Sequence, residues 1–374
     1  MKVLLLSCST GGGHDAAAKA LIEEFNERNI EAIRIDSIEL TSKKFSRKVD
    51  NLYIDMVKKR PNLFKKVYHL GELYGKLKIK SPVYGINKFF SGNLVDYITS
   101  NNFDLVICTH LYPAETLTSI RKKNDKIKFI NVATDYVCIP FWEETNPDYF
   151  VIPSSELIED FTSKGIPSEK ILPFGIPVSP KFNIKYTKKE ARRQLSLPVN
   201  GKIALIMAGS MGYGNIIDTI NRILDKYKKE LNIVVICGNN KKMKTEITKK
   251  FNNSNLYVFG YTDNVNIFMD ASDMILTKPG GLTSTEVAVK NIPVIFTEPI
   301  PGCETYNARF FEKRQMAFWA MDSKDILLYM DMILNDKSVC DNMSNMQNKF
   351  INKQATSDIV DFAIKNYKKM SHKN

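Results

Sequence analysis

The stretch VLLLSCSTGGGHDAAAKA, residues 3–20, contains the three parts of a βα unit in order. It begins with a short apolar run, which is typical of a buried strand. Three glycines and His14 follow, and a series of small residues then begins a helix. Doubly wound α/β sheets bind ligands at the carboxyl ends of their strands, where this glycine loop lies. The stretch therefore indicates both a class of fold and a place where a ligand binds.

The same alternation of strand and helix continues along most of the chain. In the first half we predict strands at residues 3–7, 32–35, 104–108, 128–133 and 149–152. In the second half we predict strands at residues 203–208, 233–237, 256–259, 274–276, 293–296 and 317–319. Alternating strands and helices form parallel sheets with helices on both faces. The sequence therefore predicts an α/β protein with two Rossmann-like domains whose parallel sheets face each other across a cleft.

Composition shifts suggest where the domains end. We predict an N-terminal domain over residues 1–177, a linker over 178–198 and a second domain over 199–352. The linker stretch is rich in basic residues and contains prolines. The last segment, 353–374, is predicted to be a C-terminal helix that packs back on the N-terminal domain.

Charge and cysteine content limit the classes of function. The net charge of +12 favours an anionic partner, which is a nucleic acid, an acidic lipid or a phosphorylated small molecule. The six cysteines include no Cys-x-x-Cys pair, which argues against a disulfide framework or a zinc site. The first apolar run is too short for a signal peptide, and no run of about 18 apolar residues could span a bilayer. We therefore expect a cytoplasmic protein.

Segment 41–92 departs from the strand–helix alternation. It contains thirteen basic and three acidic residues, and it has eight aromatic residues between them. This mixture predicts helices, inserted in the N-terminal domain, that bind an anionic membrane surface. The lysines that we expect to make this contact are Lys58, Lys59, Lys65 and Lys66. A solvated, lysine-rich helical surface is the alternative, and the segment contains no recognisable nucleic-acid-binding motif.

The first glycine loop has competing interpretations. Gly11, Gly13 and Ala16 fit the dinucleotide-binding pattern G-x-G-x-x-A, and Asp36 lies where a ribose-binding acid would be. His14, however, occupies a turn position that cofactor loops usually fill with a small apolar residue. The loop therefore either binds a cofactor, or brings a substrate close to a catalytic histidine, or is a tight turn with an incidental histidine.

Two of the four histidines follow predicted strands in the first half. His14, His110 and Asp135 all lie just beyond strand ends, so we expect them to converge on one crevice. A histidine has an unperturbed pKa of about 6.5 and suits the abstraction of a proton from a hydroxyl. The alternatives are that Asp135 caps a turn and that His110 is a structural residue.

A second glycine site, KPGGLTSTE, occupies residues 278–286. We predict that Thr283 or Ser284 begins a helix there, whose N–H groups and dipole would stabilise a phosphate. Glu286 would repel a phosphate, so we expect it to bind a ribose diol, unless it only favours the helix dipole. The glycine loop at 208–214 suggests a site for the second phosphate of a diphosphate. No P-loop pattern occurs, which argues against ordinary ATP hydrolysis.

These motifs together resemble the GT-B glycosyltransferases of one family. It contains the monogalactosyldiacylglycerol synthases, the processive diacylglycerol glucosyltransferases and the peptidoglycan enzyme that transfers N-acetylglucosamine. The resemblance covers nearly the whole chain. Its motifs are TGGGH at 10–14, TDYVCIPFW at 134–142, GIPVSPKF at 175–182, FGYTDN at 259–264, KPGGLTSTE at 278–286 and PIPGCETYN at 299–307.

The resemblance implies a GT-B fold and the transfer of a hexose from a UDP-sugar to diacylglycerol. The transfer would invert the sugar and use no metal or cofactor, with glucose favoured over galactose. His14 would be the catalytic base, and Asp135 would assist it or replace it. The expected donor-binding residues are Gly209, Ser210, Tyr261, Gly280, Gly281, Leu282, Thr283, Ser284, Glu286, Glu304 and Asn307. The expected acceptor-side residues are Gly12, Gly13, His110 and Trp142.

Two other classes of function stay open. One is a UDP-sugar epimerase or a nicotinamide enzyme of similar fold, and the other is a non-enzymatic protein that binds anionic lipid. The leading hypothesis places the protein on the cytoplasmic face of the cell membrane as a peripheral enzyme. Its partners would be a UDP-sugar, diacylglycerol and the anionic membrane surface, and no nucleic acid.

Overall fold

The computed structural model describes residues 1–8, 12–37, 63, 65–66, 68–71, 91–121, 126–207 and 216–370. Two compact units make up the chain. The first unit contains Met1–Pro180, Pro301–Cys303 and Asn352–Asn374. The second unit contains Lys181–Ile300 and Glu304–Ile351.

The first unit is built on a parallel sheet. Its strands are β1 (Lys2–Ser7), β2 (Glu31–Asp36), β3 (Leu105–Cys108), β4 (Phe129–Val132), β5 (Tyr149–Val151) and β6 (Ile171–Leu172). Its helices over the same stretch are α1 (Gly13–Glu27), α2 (Ser91–Ser100), α3 (Leu111–Arg121) and α4 (Ile158–Ser163). The strand order is β2-β1-β3-β4-β5-β6, and each pair is parallel. The loops after β1, β3 and β4 therefore leave one edge of the sheet side by side.

The second unit repeats this plan. Its strands are β7 (Lys202–Met207), β8 (Leu231–Ile236), β9 (Leu256–Phe259), β10 (Met274–Thr277), β11 (Val294–Thr297) and β12 (Phe318–Ala320). Its helices are α5 (Lys188–Gln194), α6 (Ile216–Tyr227), α7 (Lys241–Lys250), α8 (Val265–Ala271), α9 (Gly281–Lys290), α10 (Cys303–Lys313), α11 (Ser323–Asn335) and α12 (Lys337–Phe350). The strand order is β12-β11-β10-β7-β8-β9, again all parallel. The loops after β10 and β11 are therefore neighbours.

A final helix, α13 (Ala355–Asn366), packs in the core of the first unit. Its residues Ile359 and Val360 lie in the same buried cluster as Val3 and Leu5 of β1. Thr356 donates a hydrogen bond to the carbonyl oxygen of Val178 at 2.7 Å. The chain thus returns to its first unit after it has completed the second sheet.

The predicted α/β class with two Rossmann-like domains is confirmed, because each unit contains a parallel six-stranded sheet flanked by helices. All the predicted strands occur, with ends within two residues of the predicted ones. The short edge strand β6 was not predicted, because two residues are too few to give a recognisable pattern. Within the described residues, no helix is both long and apolar enough to span a membrane.

The predicted start of α9 at Thr283 or Ser284 is wrong, because the helix begins at Gly281. Gly280 is the N-cap residue in an extended conformation, and it provides no side chain to cap the helix. Threonine and serine are common N-cap residues, which is why the sequence pointed to them. Glu286 therefore lies in the second turn of α9 rather than in its first.

Candidate active site

In the first unit, a glycine turn brings a histidine to the edge of the sheet. Gly12 has a φ of 78°, a left-handed conformation that glycine adopts without strain. It is the N-cap residue of α1, so Gly13 is the first residue of the helix and His14 the second. The turn thus places His14 in the first turn of α1, beyond the carboxyl end of β1.

Two contacts define which nitrogen of His14 carries the proton. Nδ1 lies 2.8 Å from the carbonyl oxygen of Thr109 and 2.9 Å from the hydroxyl oxygen of Thr134. A carbonyl oxygen can only accept a hydrogen bond, so Nδ1 carries the proton and donates it. The neutral ring therefore has its lone pair on Nε2, which is the nitrogen that can accept a proton. The Thr109 hydroxyl also donates to the carbonyl oxygen of His14, at 2.9 Å, and this fixes the backbone.

The surroundings of His14 favour the neutral ring. Burial lowers the pKa of His14 below its ordinary value, while the charges of Asp135 and, more weakly, Asp15 oppose the shift. Asp15 itself is neutralised by Arg34, whose guanidinium lies 2.6 Å from its carboxylate. A histidine that stays neutral at physiological pH and has its lone pair on Nε2 is competent as a general base.

His110 lies against His14, as the sequence predicted, but it has the opposite tautomer. The ring centroids are 4.5 Å apart and the rings are nearly perpendicular. The backbone N–H of Tyr112 donates to His110 Nδ1 at 3.1 Å, so the proton of the neutral ring is on Nε2. Burial lowers the pKa of His110 well below its ordinary value, and His14 lowers it further. His110 is thus a neutral neighbour of the candidate base.

Asp135, the second predicted catalytic residue, and Trp142, a predicted acceptor-side residue, lie on the loop that follows β4. Asp135 is partly buried, and its charge is near enough to raise the pKa of His14. The indole of Trp142 is buried and packs edge-on against Phe150, with ring centroids 6.0 Å apart. Trp142 therefore supports this loop from the inside of the unit.

In the second unit, the loop between β10 and α9 leads into a helix start that can bind an anion. Gly281, Leu282 and Thr283 form the first turn of α9, where backbone N–H groups have no partner within the helix. Such a helix start binds phosphate through these N–H groups and the helix dipole. The Ser284 hydroxyl is buried and has no hydrogen-bond partner among the described residues.

Glu286, one turn further along α9, is a carboxylate with a raised pKa. Burial raises the pKa of Glu286 to about 8, although the charge of Lys181 opposes the shift. A carboxylate with so little solvation gains from hydroxyl donors, and a ribose supplies two of them. The environment of Glu286 therefore suits the role that the sequence suggested.

Glu304 and Asn307, both on α10, are tied to the same loop. Glu304 pairs with Lys278 at 2.5 Å and accepts the backbone N–H of Ile300 at 2.8 Å. Asn307 is fully buried and donates to the carbonyl oxygen of Pro279 at 3.0 Å. These contacts indicate that both residues shape the glycine loop.

Tyr261 follows β9 at the same edge of the sheet. Its side chain is 63% exposed, and its hydroxyl donates to Asp263 at 2.8 Å. An exposed aromatic ring at this position is available to a nucleobase.

Some predicted residues cannot be placed. Gly209, Ser210, Lys58 and Lys59 lie outside the described residues. Lys65 and Lys66 are described, and both are exposed. No group of three or more His, Cys, Asp or Glu side chains in the described part of the chain is placed to bind a metal ion.

Sequence reasoning missed the residues that orient the candidate base and the loop. The partners of the His14 ring belong to Thr109 and Thr134, which lie 95 and 120 residues away along the chain. Thr109 and Thr134 do directly follow predicted strands, and that position was the only available signal. Lys278 begins the glycine motif but was assigned no role.

Comparison with known proteins finds glycosyltransferase matches in both units. Residues 14–178 match the family described as monogalactosyldiacylglycerol (MGDG) synthase, and residues 203–359 match the glycosyltransferase family 28 C-terminal domain. Among curated proteins, the chain is 28% identical to a processive diacylglycerol beta-glucosyltransferase of Bacillus cereus (strain B4264), over 90% of this chain and 86% of that one. It is also 28% identical to the protein of the same name from Staphylococcus aureus (strain Newman), over 96% and 91%.

Solved structures show the same fold at low identity. MurG of Acinetobacter baumannii has a TM-score of 0.64 at 14% identity, covering 97% of this chain and 99% of MurG. The UDP-GlcNAc 2-epimerase of Neisseria meningitidis has a TM-score of 0.65 at 15% identity, covering 98% of this chain and 100% of the epimerase. These likenesses support the Rossmann-like fold of each unit, as in GT-B proteins, and concern the fold alone.

Proposed function

We propose that the chain transfers a hexose from a UDP-sugar to diacylglycerol, because its first unit matches the monogalactosyldiacylglycerol synthase family and its second unit matches the glycosyltransferase family 28 C-terminal domain. Its curated relatives carry the name diacylglycerol beta-glucosyltransferase, which favours glucose as the sugar. The observation that carries the mechanism is the hydrogen bond from His14 Nδ1 to the carbonyl oxygen of Thr109, because it leaves Nε2 able to accept a proton.

In this mechanism, His14 Nε2 takes the proton of the diacylglycerol hydroxyl. The hydroxyl oxygen then forms a bond to C1 of the sugar as the bond between C1 and the phosphate oxygen breaks. The electron pair leaves with UDP, and attack from the opposite face inverts C1. Hydrogen bonding to Thr109 and Thr134 and the charge of Asp135 stabilise the protonated His14.

The second unit would hold the donor. The first-turn N–H groups of α9 and its dipole would stabilise the negative charge on the leaving diphosphate, so no metal is needed for that purpose. Glu286 would accept hydrogen bonds from the ribose hydroxyls. Tyr261 would contact the base, and Glu304 and Asn307 would shape the loop around the sugar and diphosphate.

We also propose that the protein works at the cytoplasmic face of an anionic membrane. Support comes from the described part of segment 41–92, where residues 63, 65–66 and 68–71 are helical. Leu63 and Leu70 are 43% and 63% exposed there, beside the exposed Lys65 and Lys66. Exposed leucines beside lysines are typical of a surface that enters the headgroup region.

An epimerase is not favoured. The two solved structures whose titles name a UDP-N-acetylglucosamine 2-epimerase share the fold at 15% and 12% identity, whereas the curated relative at 28% identity is named a glucosyltransferase. The two functions also differ in their products. A transferase releases UDP and a glycolipid, whereas an epimerase converts one UDP-sugar into another and needs no lipid acceptor.

A labelled-donor assay tests the proposal. Purified protein is incubated with radiolabelled UDP-glucose or UDP-galactose and vesicles that contain diacylglycerol, with and without EDTA. We expect a labelled glycolipid that requires diacylglycerol, forms faster from UDP-glucose, and is insensitive to EDTA. Absence of labelled lipid with both donors would refute the proposal, and loss of activity with EDTA would refute its metal-independent form.

A further inference from the structure

Lys278 and Glu304 form a largely buried charge pair in the second unit. Lys278 directly follows β10, and its Nζ lies 2.5 Å from Glu304 Oε1, with the two side chains 18% and 8% exposed. The other carboxylate oxygen accepts the backbone N–H of Ile300 at 2.8 Å. Both oxygens of Glu304 are therefore held in place, one by a charge and one by the backbone.

This carboxylate lies next to the start of α9. A Cβ atom added to Gly280 would be 3.7 Å from Glu304 Oε1, and Gly280 is the N-cap residue of α9. A nucleoside diphosphate bound to the first turn of α9 would thus approach a negative charge. Like charges a few ångströms apart repel by several RT at an effective dielectric constant of about 20. An unpaired Glu304 would oppose the ligand that this loop is proposed to bind.

We propose that Lys278 is a positioning residue that neutralises Glu304 and holds it against the glycine loop, so that a nucleoside diphosphate can bind at α9. This inference rests on the proposed function, since it assumes that the loop binds the diphosphate of the donor. Asn307 ties the same loop through the carbonyl oxygen of Pro279. Because that contact is uncharged, the electrostatic role falls to Lys278.

Titration calorimetry with uridine, UMP and UDP tests this role in four proteins. These are the wild type, Lys278→Met, Glu304→Gln and the double variant. Lys278→Met leaves an unpaired acid beside the phosphates, so we expect UDP affinity to fall at least about thirtyfold. Uridine has no phosphate, so its affinity should stay within about threefold of the wild-type value.

The double variant separates positioning from direct phosphate binding. Glu304→Gln keeps an oxygen that can accept the Ile300 N–H but has no charge. When residue 304 is neutral, Lys278 has no charge to offset, so the double variant should bind UDP at least about tenfold more tightly than Lys278→Met. If the double variant is as weak as Lys278→Met, Lys278 binds the phosphate itself and the proposal is wrong. Unchanged UDP affinity in Lys278→Met would also overturn it.

A matched control addresses loss of stability. Lys290, at the opposite end of α9, forms another buried pair with Asp270 at 2.6 Å. Lys290→Met should lower the thermal midpoint and leave UDP affinity unchanged. An equal loss of UDP affinity in Lys290→Met and Lys278→Met would contradict a specific role for Lys278. Lys278→Arg retains the charge and should keep UDP affinity even if Lys278→Met does not fold. A wild type that binds no UDP would refute the proposed function, and this inference with it.

Discussion

At the scale of single residues, the chemistry depends on where His14 keeps its proton. A backbone carbonyl accepts from Nδ1, and a carbonyl cannot be protonated or reversed at physiological pH. The orientation of the His14 ring therefore does not change with pH, as it could if a titratable carboxylate accepted the hydrogen bond from Nδ1. Asp135 contributes charge to the protonated state, and this is a separate role from that of the carbonyl.

Replacing His14 tests the base directly. His14→Ala should lower kcat by about 10²–10⁴-fold, since a positioned base contributes that much to the rate. UDP affinity, measured by calorimetry, should not change, because the donor is assigned to the second unit. A loss of kcat below about fivefold would instead identify Asp135 as the base.

The wild-type pH profile adds a second test of His14. Because burial lowers the pKa of His14, kcat should stay high until the pH falls below the ordinary histidine value of about 6.5. An acidic limb centred clearly above that value would contradict the buried, neutral base.

Glu286 predicts a pH-dependent affinity for UDP. Its pKa of about 8 in the free protein means that the carboxyl is largely protonated at neutral pH. Ribose hydroxyls stabilise the charged form, so binding requires loss of a proton below the free pKa. UDP affinity should therefore rise as the pH increases from about 6 to about 8 and then level off.

Glu286→Gln provides the comparison. The variant should bind UDP at least about tenfold more weakly at pH 8, where the wild type has its charged hydrogen-bond acceptor, and its affinity should not vary with pH.

The carboxyl group of Glu286 also affects the stability of the protein. A carboxyl whose pKa is raised by folding destabilises the protein as pH rises from its unfolded value of about 4.3 to the folded value. Glu286→Gln should thus have the higher thermal midpoint at pH 8, and an unchanged midpoint would contradict this reading of its burial.

At the scale of elements, the strands could be predicted, whereas the start of α9 could not. Strands β1 and β8 each contain an apolar run of four residues, at 3–6 and 233–236, and burial on both faces favours that pattern. The start of α9 depends on Gly280, a residue with no side chain to signal a cap, while Thr283 and Ser284 offered a false signal. The orientation of His14 depends on partners from β3 and β4, which no local pattern connects to α1.

The docking of α13 on the first unit depends on one glycine. Gly175 has a φ of 110°, and an added Cβ would lie 2.9 Å from the Cβ of Ala355 at the start of α13. Gly175→Ala should therefore cost about 2–5 kcal/mol of unfolding free energy, from backbone strain and from overpacking.

Gly165 is the matched control for that substitution. It has a φ of 95°, but nothing lies within 4 Å of an added Cβ. Gly165→Ala should cost only the strain of about 1–2 kcal/mol. The measurement is urea unfolding followed by circular dichroism, and equal losses for the two variants would contradict the close contact with α13.

At the scale of the whole molecule, the sequence predicted the two sheets and the family, because βα repeats and glycine motifs are local features. It placed His14, His110 and Asp135 together because adjacent parallel strands end at one edge of a sheet. Lys278 went unrecognised because its importance depends on Glu304, which is 26 residues away and on another element.

Membrane contact is the property of the whole molecule that mutation can test next. Lys65→Glu/Lys66→Glu should reduce co-sedimentation with vesicles that contain phosphatidylglycerol, since each basic residue near an acidic surface contributes about 1 kcal/mol. Added salt should reduce binding of the wild type as well. Lys368→Glu/Lys369→Glu makes the same change of charge at exposed residues elsewhere in the first unit and should bind normally. Equal loss in both variants would assign the effect to net charge and not to this surface.

The central claim is sugar transfer from UDP to a lipid hydroxyl with His14 as the base, and the stoichiometry of its products tests it most directly. UDP and glycolipid are quantified together after incubation of the wild type with UDP-glucose and diacylglycerol vesicles, and the anomeric configuration of the glycolipid is read by NMR. We predict one β-glucosyl linkage in the lipid fraction for each UDP released, and the loss of both products together in His14→Ala. UDP without glycolipid, an epimerised UDP-sugar, or an α-linked product would contradict it.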